Sequence, residues 1–311
     1  MYHKHGAYWH VKSGKWTRLG PDYAEALLEY ARIRSAPAAG GMAKLIDKAL
    51  AHHGKKVKKN TLDQYTIAAD RLKVIFAEFE LRQVQQKHVA AVKMSLSDTP
   101  NMANRILSFL RIVFSYAVEW QLVDSNPCIG IRRHEERKRD RYITDREFEA
   151  LMANCSDSMR VIFEMCYLTG QRIGDVLKIR LADISDAGIE FRQEKTGAKL
   201  IVSMTPDIAE VVARAKALPR KVRGMTLFCG RGGKPVLYEV AKQAFAAARE
   251  AAGVADVTIH DLRAKSLTDA DGEGKDAQKL GGHTDARMTA RYLRGKKPTI
   301  ATAPTMPKKS G

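Results

Sequence analysis

The sequence predicts a mainly α fold with a small β-sheet or hairpin, an α+β architecture: a helical domain, then a second domain carrying the hairpin, with a short β-hairpin opening the chain. Three observations lead there. In MANRILSFLRIVFSYAVEW, just after Asn101, Ile106, Leu110, Ile112, Val113 and Ala117 recur near helical spacing. In GIEFRQEKTGAKLIVSM (188–204), apolar residues alternate on both sides of Lys195-Thr196-Gly197, the pattern of two strands joined by a turn. Between these stretches RRHEERKRDR (132–141) carries six positive and three negative residues without apolar periodicity, which suits a linker.

Taken in order, YWHVKSGKWTRLG (8–20) alternates around Ser13-Gly14 and reads as the opening hairpin. DYAEALLEYARIRS (22–35) follows as a short helix, and APAAGG (36–41) as a connection. Residues 1–41 form either an accessory DNA-binding element or a clip on the next domain. Residues 42–131 read as helical: MAKLIDKALAHHG stops at Gly54, KKVKK (55–59) is a basic patch, and Asn60 and Thr61 lead into LDQYTIAADRLKVIFAEF. DSNPCIG (124–130) breaks the run. Lys55, Lys56, Lys58, Lys59 and Arg105 would lie on outer faces, as DNA contacts or as ordinary solvated charge. After a linker at 132–143, ITDREFEALM opens a domain spanning 144–294, with Thr144 or Asp145 placed to cap and Glu147 or Glu149 nearby. A basic tail, 295–311, ends the chain.

Composition narrows the function classes. The 311 residues are 45% hydrophobic, enough for two cores, and carry 53 Lys+Arg against 35 Asp+Glu, a net charge of +18. A field of that sign attracts polyanions, nucleic acid first among them, or merely keeps a cationic protein soluble. The excess is distributed: residues 42–131 hold thirteen Lys+Arg against eight acids, and residues 286–311 hold seven with no acid. Cys128, Cys155, Cys166 and Cys229 show no CxxC or Cys/His spacing, so free thiols in a reducing compartment are expected and a zinc site is not. No apolar leader and no run near the ~18 residues of a membrane span is present, which makes a cytoplasmic protein the expectation.

Five short segments of the second domain carry chemistry. In YLTGQRIGDVLKIRLADI (167–184) a helix meets Thr169-Gly170 and restarts with Arg172 and Asp175. Arg172 could clamp a phosphate with its planar fork while Asp175 orients a basic neighbour, or the two could form a surface salt bridge. Lys195, at the hairpin turn, could reach a leaving oxygen or stay solvated. In TIHDLRAKSL (258–267) Thr258 is a candidate N-cap, and His260 and Arg263 share a helix face, where they repel unless an anion lies between them. LGGH (280–283) ends a helix at Gly281-Gly282 and leaves His283 at the connection. DARMTARYLR (285–294) supplies another helix, and in it, nine positions on from His283, comes Tyr292, amid Arg287, Arg291 and Arg294: an amphipathic packing residue, or a nucleophile.

The ordered set Arg172, Lys195, His260-x-x-Arg263, His283 and Tyr292 resembles the tyrosine recombinases, and the chain as a whole resembles a phage-type integrase. TGQRIGDVL, KTG, HDLR, and LGGH followed by Tyr match that family's boxes across roughly 144–294, and 42–131 occupies the place of its helical core-binding (SAM-like) domain. A Gly stands before Gly282 where a larger residue is common in the family, and the tail beyond Arg294 is rich in Pro and Lys. The resemblance implies a C-terminal catalytic domain performing site-specific DNA recombination, for integration or excision of phage or mobile-element DNA. Tyr292 would form a covalent 3′-phosphotyrosyl link, Arg172, Arg263 and His283 would hold the phosphate, Lys195 would protonate the leaving oxygen, His260 would accept the tyrosine proton or donate, and Asp175 would support them. It also implies double-stranded attachment sites as partners, a homo-tetramer holding a Holliday junction, an excisionase or DNA-bending host protein as accessory, a location in the bacterial cytoplasm or nucleoid, and neither cofactor nor metal. A type IB topoisomerase and an inactive DNA-binding relative are the alternatives.

Overall fold

The computed structural model describes residues 1–12, 15–33, 41–136, 139–194, 197–220, 222, 224–230 and 232–294. The chain divides into two compact units, Met1–Arg137 and Lys138–Gly311.

In the first unit β1 (Tyr2–Lys4), β2 (Ala7–Lys12) and β3 (Lys15–Gly20) form an antiparallel sheet in that order. Lys12 pairs with Lys15 and Trp9 with Arg18, as a hairpin over 8–20 requires, while the Ser13-Gly14 turn lies outside the described residues. The first strand is an addition to the expected hairpin. It has three residues, too few to show alternation, and it is joined by His5-Gly6, both at positive φ (52° and 68°) as a tight hairpin turn demands. The helix α1 (Tyr23–Ile33) places Leu27 in the same core as α2 (Gly41–Gly54), α3 (Lys59–Ile75), α4 (Gln86–Met94) and α5 (Pro100–Glu119). Helix α2 starts within the expected 36–41 connection, at Gly41, and residues 36–40 lie outside the described set. Helix α5 begins one residue before Asn101, with Pro100 at its first position, where the missing N–H has no partner to lose. Of its spaced apolar residues, Ile106, Leu110, Val113 and Ala117 are buried in one core with Leu72 and Phe76 of the third helix's end, and Ile112 is half-buried at its edge.

The second unit opens on α6 (Asp145–Ala153). Thr144 is its N-cap: its Oγ1 accepts from the Glu147 amide at 3.3 Å, and the Glu147 carboxylate accepts from the Thr144 amide at 2.9 Å. Then come α7 (Asp157–Thr169), the single-turn α8 (Ile173–Val176), and the antiparallel sheet β4 (Ile184–Ser185), β5 (Gly188–Arg192), β6 (Lys199–Ser203). Arg192 pairs with Lys199, closing the expected hairpin; Lys195 and Thr196 lie outside the described residues. The unit continues with α9 (Pro206–Ala217), α10 (Tyr238–Ala251), α11 (Asp261–Gly272), α12 (Ala277–Gly281) and α13 (Ala286–Ala290). Ile162, Phe163, Val176, Ile189, Phe191, Phe245 and Leu262 draw the helices and the sheet into one core. The tail 295–311 lies outside the described residues.

Two expectations need correction here. Thr258 does not cap α11; His260 stands at the N-cap position without a side-chain bond, and Asp261 instead turns its carboxylate back to accept from the Thr258 amide and hydroxyl, both at 2.8 Å. The Thr258 hydroxyl is thereby spent as a donor to the carboxylate and does not accept from the helix. Tyr292 is not within a helix: α13 stops at Ala290, and Tyr292 sits in the turn that follows, its amide bonded to the Thr289 carbonyl at 2.7 Å.

Cys128, Cys155 and Cys166 are buried free thiols, and Cys229 is half-buried. Among the described residues, no group of His, Cys, Asp or Glu is placed to hold a metal ion, and no helix is long and apolar enough to cross a membrane.

Candidate active site

Three chain breaks build the site. Helix α7 ends on Gly170, whose φ of +62° is the left-handed conformation that glycine adopts freely. A Cβ there would also press on Ser266 Oγ at 3.0 Å and Leu280 Cγ at 3.2 Å, so the turn sits tight against α11 and α12. Two residues on, Arg172 is the N-cap of α8. Helix α12 ends the same way on Gly282 (φ +62°), where a Cβ would come within 2.6 Å of Gln193 Nε2. The first turn of α11 is the third.

Arg263, 1% exposed, lies at the centre. One of its terminal nitrogens donates to the Gly170 carbonyl; the other donates to the Gly281 carbonyl at 2.7 Å and to His283 Nε2 at 2.8 Å. Its Nε has no hydrogen-bond partner among the described residues. Burial first, and the Arg172 guanidinium second, pull its pKa down to about 10, so it remains a cation at neutral pH.

Tyr292 lies on this cation. The centre of its ring is 5.1 Å from the Arg263 guanidinium carbon, 5.3 Å from the His283 ring in a stacked arrangement, and 5.4 Å from the His260 ring in a tilted one. All four side chains come from one chain. Arg172 is half-buried; its Nη1 donates to Gln193 Oε1 at 3.1 Å and stands 4.0 Å from Asp175 Oδ2. Asp175 is buried and accepts from the Glu194 amide at 2.9 Å, while its Oδ2 has no hydrogen-bond partner among the described residues. Of the residues singled out in the sequence, Arg172, Asp175, His260, Arg263, His283 and Tyr292 are thus brought together, and Lys195 falls outside the described set.

Sequence reasoning missed the residues that tie these together. Gln193, fully buried, donates through Nε2 to Gln171 Oε1 at 2.7 Å and to the Gly281 carbonyl at 2.9 Å, while its Oε1 holds Arg172. Gln171 Nε2 donates to the Leu280 carbonyl at 2.7 Å. A glutamine beside a hairpin turn carries no signal of its own, since its partners lie 22 and 88 positions away.

The imidazoles differ. A guanidinium can only donate, so His283 Nε2 accepts from Arg263; its proton then rides on Nδ1, which donates to Thr289 Oγ1 at 3.0 Å. Burial, followed by the charges of Arg263 and Arg172, holds the His283 pKa down to about 4. His260 has an exposed edge, yet desolvation of its inner side and the nearby Arg263 also lower its pKa.

A histidine with a depressed folded pKa is protonated first in the unfolded chain. The stability His283 contributes is therefore complete above its ordinary value of 6.5 and is lost as the pH falls toward about 4. At about 1.36 kcal/mol per pKa unit, the full loss is on the order of 3 kcal/mol. Urea denaturation at pH 7 and pH 4.5 checks this: His283→Asn should flatten the pH dependence relative to wild type, and parallel curves would show that His283 is not held neutral.

The basic positions singled out in the sequence belong to the first unit. Lys55, Lys56, Lys58 and Lys59 are exposed and bridge the end of α2 to the start of α3; Arg105, half-buried, projects from α5. Arg105 shares a polar groove with Asn60, Gln64, Asn101 and Arg133.

A helix-wrapped three-stranded sheet that holds one guanidinium on a tyrosine ring, with a second near enough to lower its pKa, suits a protein that handles phosphodiesters. The sequence matches the phage integrase family over residues 141–298. It is 26% identical over 261 residues to the integrase of Enterobacteria phage 434 and 25% identical over 261 residues to that of Escherichia phage lambda, each alignment covering 79% of this chain and 73% of the relative. The fold is similar to that of a lambda integrase dimer bound to a COC′ core site (TM-score 0.77, 22% identity, 97% of each chain). It is equally similar to a lambda integrase tetramer bound to a Holliday junction (TM-score 0.77, 22% identity, 96% of this chain and 95% of that one). The chain belongs to the phage integrase family, the tyrosine-type enzymes of site-specific DNA recombination.

Proposed function

We propose that the chain cuts and rejoins DNA at attachment sites through a covalent 3′-phosphotyrosyl intermediate formed by Tyr292. The observation that carries this reading is the Tyr292 ring lying against Arg263, His260 and His283 of its own chain. Arg172 and Arg263 are two cations gathered with Asp175 beside them, and a backbone phosphate is an anion suited to lie between them. Preorganised guanidiniums neutralise the charge that builds on the non-bridging oxygens during attack. His260, with its pKa lowered, is neutral near pH 7 and accepts the tyrosine proton as the phenol oxygen attacks phosphorus. The bond from phosphorus to the 5′-oxygen breaks, and Lys195 protonates the leaving oxygen. His283 accepts from Arg263 before DNA arrives, so its part as a phosphate donor requires that contact to open when substrate binds. Asp175 supports the shell from behind Arg172. The covalent bond retains the phosphodiester energy, so rejoining needs no cofactor.

Residues 144–294 then form the catalytic domain and 42–131 the core-binding domain. Lys55, Lys56, Lys58, Lys59 and Arg105 contact the backbone, and residues 1–41 hold an arm-type site. The linker is 132–143 and the basic tail 295–311. Four copies assemble on two duplexes, each strand exchange passing through a Holliday junction, with an excisionase or a DNA-bending host protein setting direction. The work takes place in the bacterial cytoplasm or nucleoid.

Sequencing the DNA that flanks the gene supplies the test substrate. A nicked duplex from that region should leave the protein covalently attached after denaturation, and two intact duplexes should yield a four-way junction. Relaxation of a supercoiled plasmid by monomers without junctions would replace recombination with topoisomerase activity, and binding without any adduct would leave a DNA-binding protein only.

A further inference from the structure

The segment that opens the second unit is fastened along the helix that carries His260 and Arg263. Arg139 donates through Nε to both carboxylate oxygens of Asp261, each at 2.9 Å, and its Nη2 lies 2.9 Å from Asp261 Oδ2. Its other contacts run to Asp256: Nη2 to the carbonyl at 2.6 Å and Nη1 to Oδ1 at 3.0 Å. Asp261 stands between the two site residues in sequence, is 1% exposed, and holds the first turn of α11 closed through the Thr258 amide and hydroxyl. A turn further along, Tyr142 donates to Asp269 Oδ1 at 2.5 Å and accepts from Lys265 Nζ at 3.1 Å, and Lys265, also 1% exposed, pairs with Asp145 and Asp269. Residues 139–145 therefore run beside α11 from its first turn to its third, pinned at both ends.

A buried carboxylate one residue from a proton acceptor and two from a phosphate-holding guanidinium sets the angle of the turn that aims both. We propose that Arg139 is a positioning residue for the cleavage step: by clamping Asp261 it fixes the first turn of α11, and so the placement of His260 and Arg263 around the phosphate. The inference rests on the function proposed above, and makes the rate of cleavage depend on how the chain enters the second unit. Errors of about 1 Å in a reacting geometry can cost on the order of 10²-fold in rate.

The pairing also sets the electrostatics at His260. Arg263, Arg172 and Arg294 push its pKa down, Asp261 pushes it up, and the Tyr292 ring covers one side. Removing Arg139 leaves the Asp261 charge less compensated, which raises the His260 pKa; neutralising Asp261 lowers it further.

The test uses the full chain and the nicked duplex from the flanking DNA. Wild-type adduct formation tests the functional reading by itself, so its absence is distinguishable from failure of the clamp. With wild-type trapping in hand, Arg139→Ala, at a partly exposed position, should slow adduct formation at saturating DNA by on the order of 10²-fold while the DNA dissociation constant stays within about threefold. Arg139→Lys, a point charge without the fork, should recover part of the rate. The acid limb of the pH–rate profile should move to higher pH in Arg139→Ala and to lower pH in Asp261→Asn. A purely structural contact would lower thermal stability in both variants without separating the limbs. Wild-type rates in Arg139→Ala, or limbs that do not move apart, overturn the proposal.

Discussion

Tyr292→Phe abolishes covalent capture of nicked DNA and leaves DNA binding as it was: that is the expected result with the largest effect. The phenylalanine ring keeps the packing on His260 and His283 and the contact with the Arg263 guanidinium, since all three are made by the ring. Only the hydroxyl is lost, and with it a side-chain hydrogen bond to Arg263, so the fold should keep its stability to within about 1 kcal/mol. DNA affinity comes from many distributed phosphate contacts, so its salt dependence should be unchanged. The measurement pairs a denaturing gel for the adduct with a salt titration of binding. Equal adduct yield in the variant would move the nucleophile elsewhere, and lost binding with a normal melting curve would show that Tyr292 holds DNA without attacking it.

Arg263→Ala and Arg172→Ala should both stop cleavage yet part company in stability. Each removes a cation from the phosphate site, at a cost on the order of 10²–10³ in rate. Arg172 is half-buried and its loss strands one buried acceptor, Gln193 Oε1, so it should cost about 1–3 kcal/mol of folding stability. Arg263 is buried and holds the Gly170 and Gly281 carbonyls. Its loss strands two buried acceptors, at about 1–3 kcal/mol each. Thermal melts run beside the trapping assay check both. Equal melting temperatures for the two variants would mean that water takes over the carbonyls, and near-wild-type cleavage by either would remove that arginine from the phosphate site.

The order of motifs was enough to expect both the α+β build and the cluster. Helical spacing named the buried face of α5, and the boxes named Tyr292 and five of the residues gathered with it. What escaped was held by distance in sequence. Arg139 and Asp261 are 122 positions apart, and Tyr142 and Asp269 are 127 apart, and neither member of either pair stands out among neighbours of the same type. Gln193 was hidden for a different reason, because a neutral amide in a polar turn reads as solvent-facing until its burial is known. The misplacement of Tyr292 in a helix has a physical cause as well. DARMTARYLR is helix-compatible throughout, but α13 yields after Ala290 where Thr289 commits its hydroxyl to His283 and its carbonyl to the Tyr292 amide.

The double attachment of Arg263 constrains how this protein could change over generations. The guanidinium is a rivet through two loop ends as well as part of the reactive centre, so a lineage drifting toward a silent, DNA-coating role could not shed it without loosening the scaffold. The Tyr292 hydroxyl joins no loop ends in this way; its side-chain hydrogen bond is to Arg263 itself. A descendant that has given up strand cleavage should therefore retain the arginine and show its first substitution at the phenol.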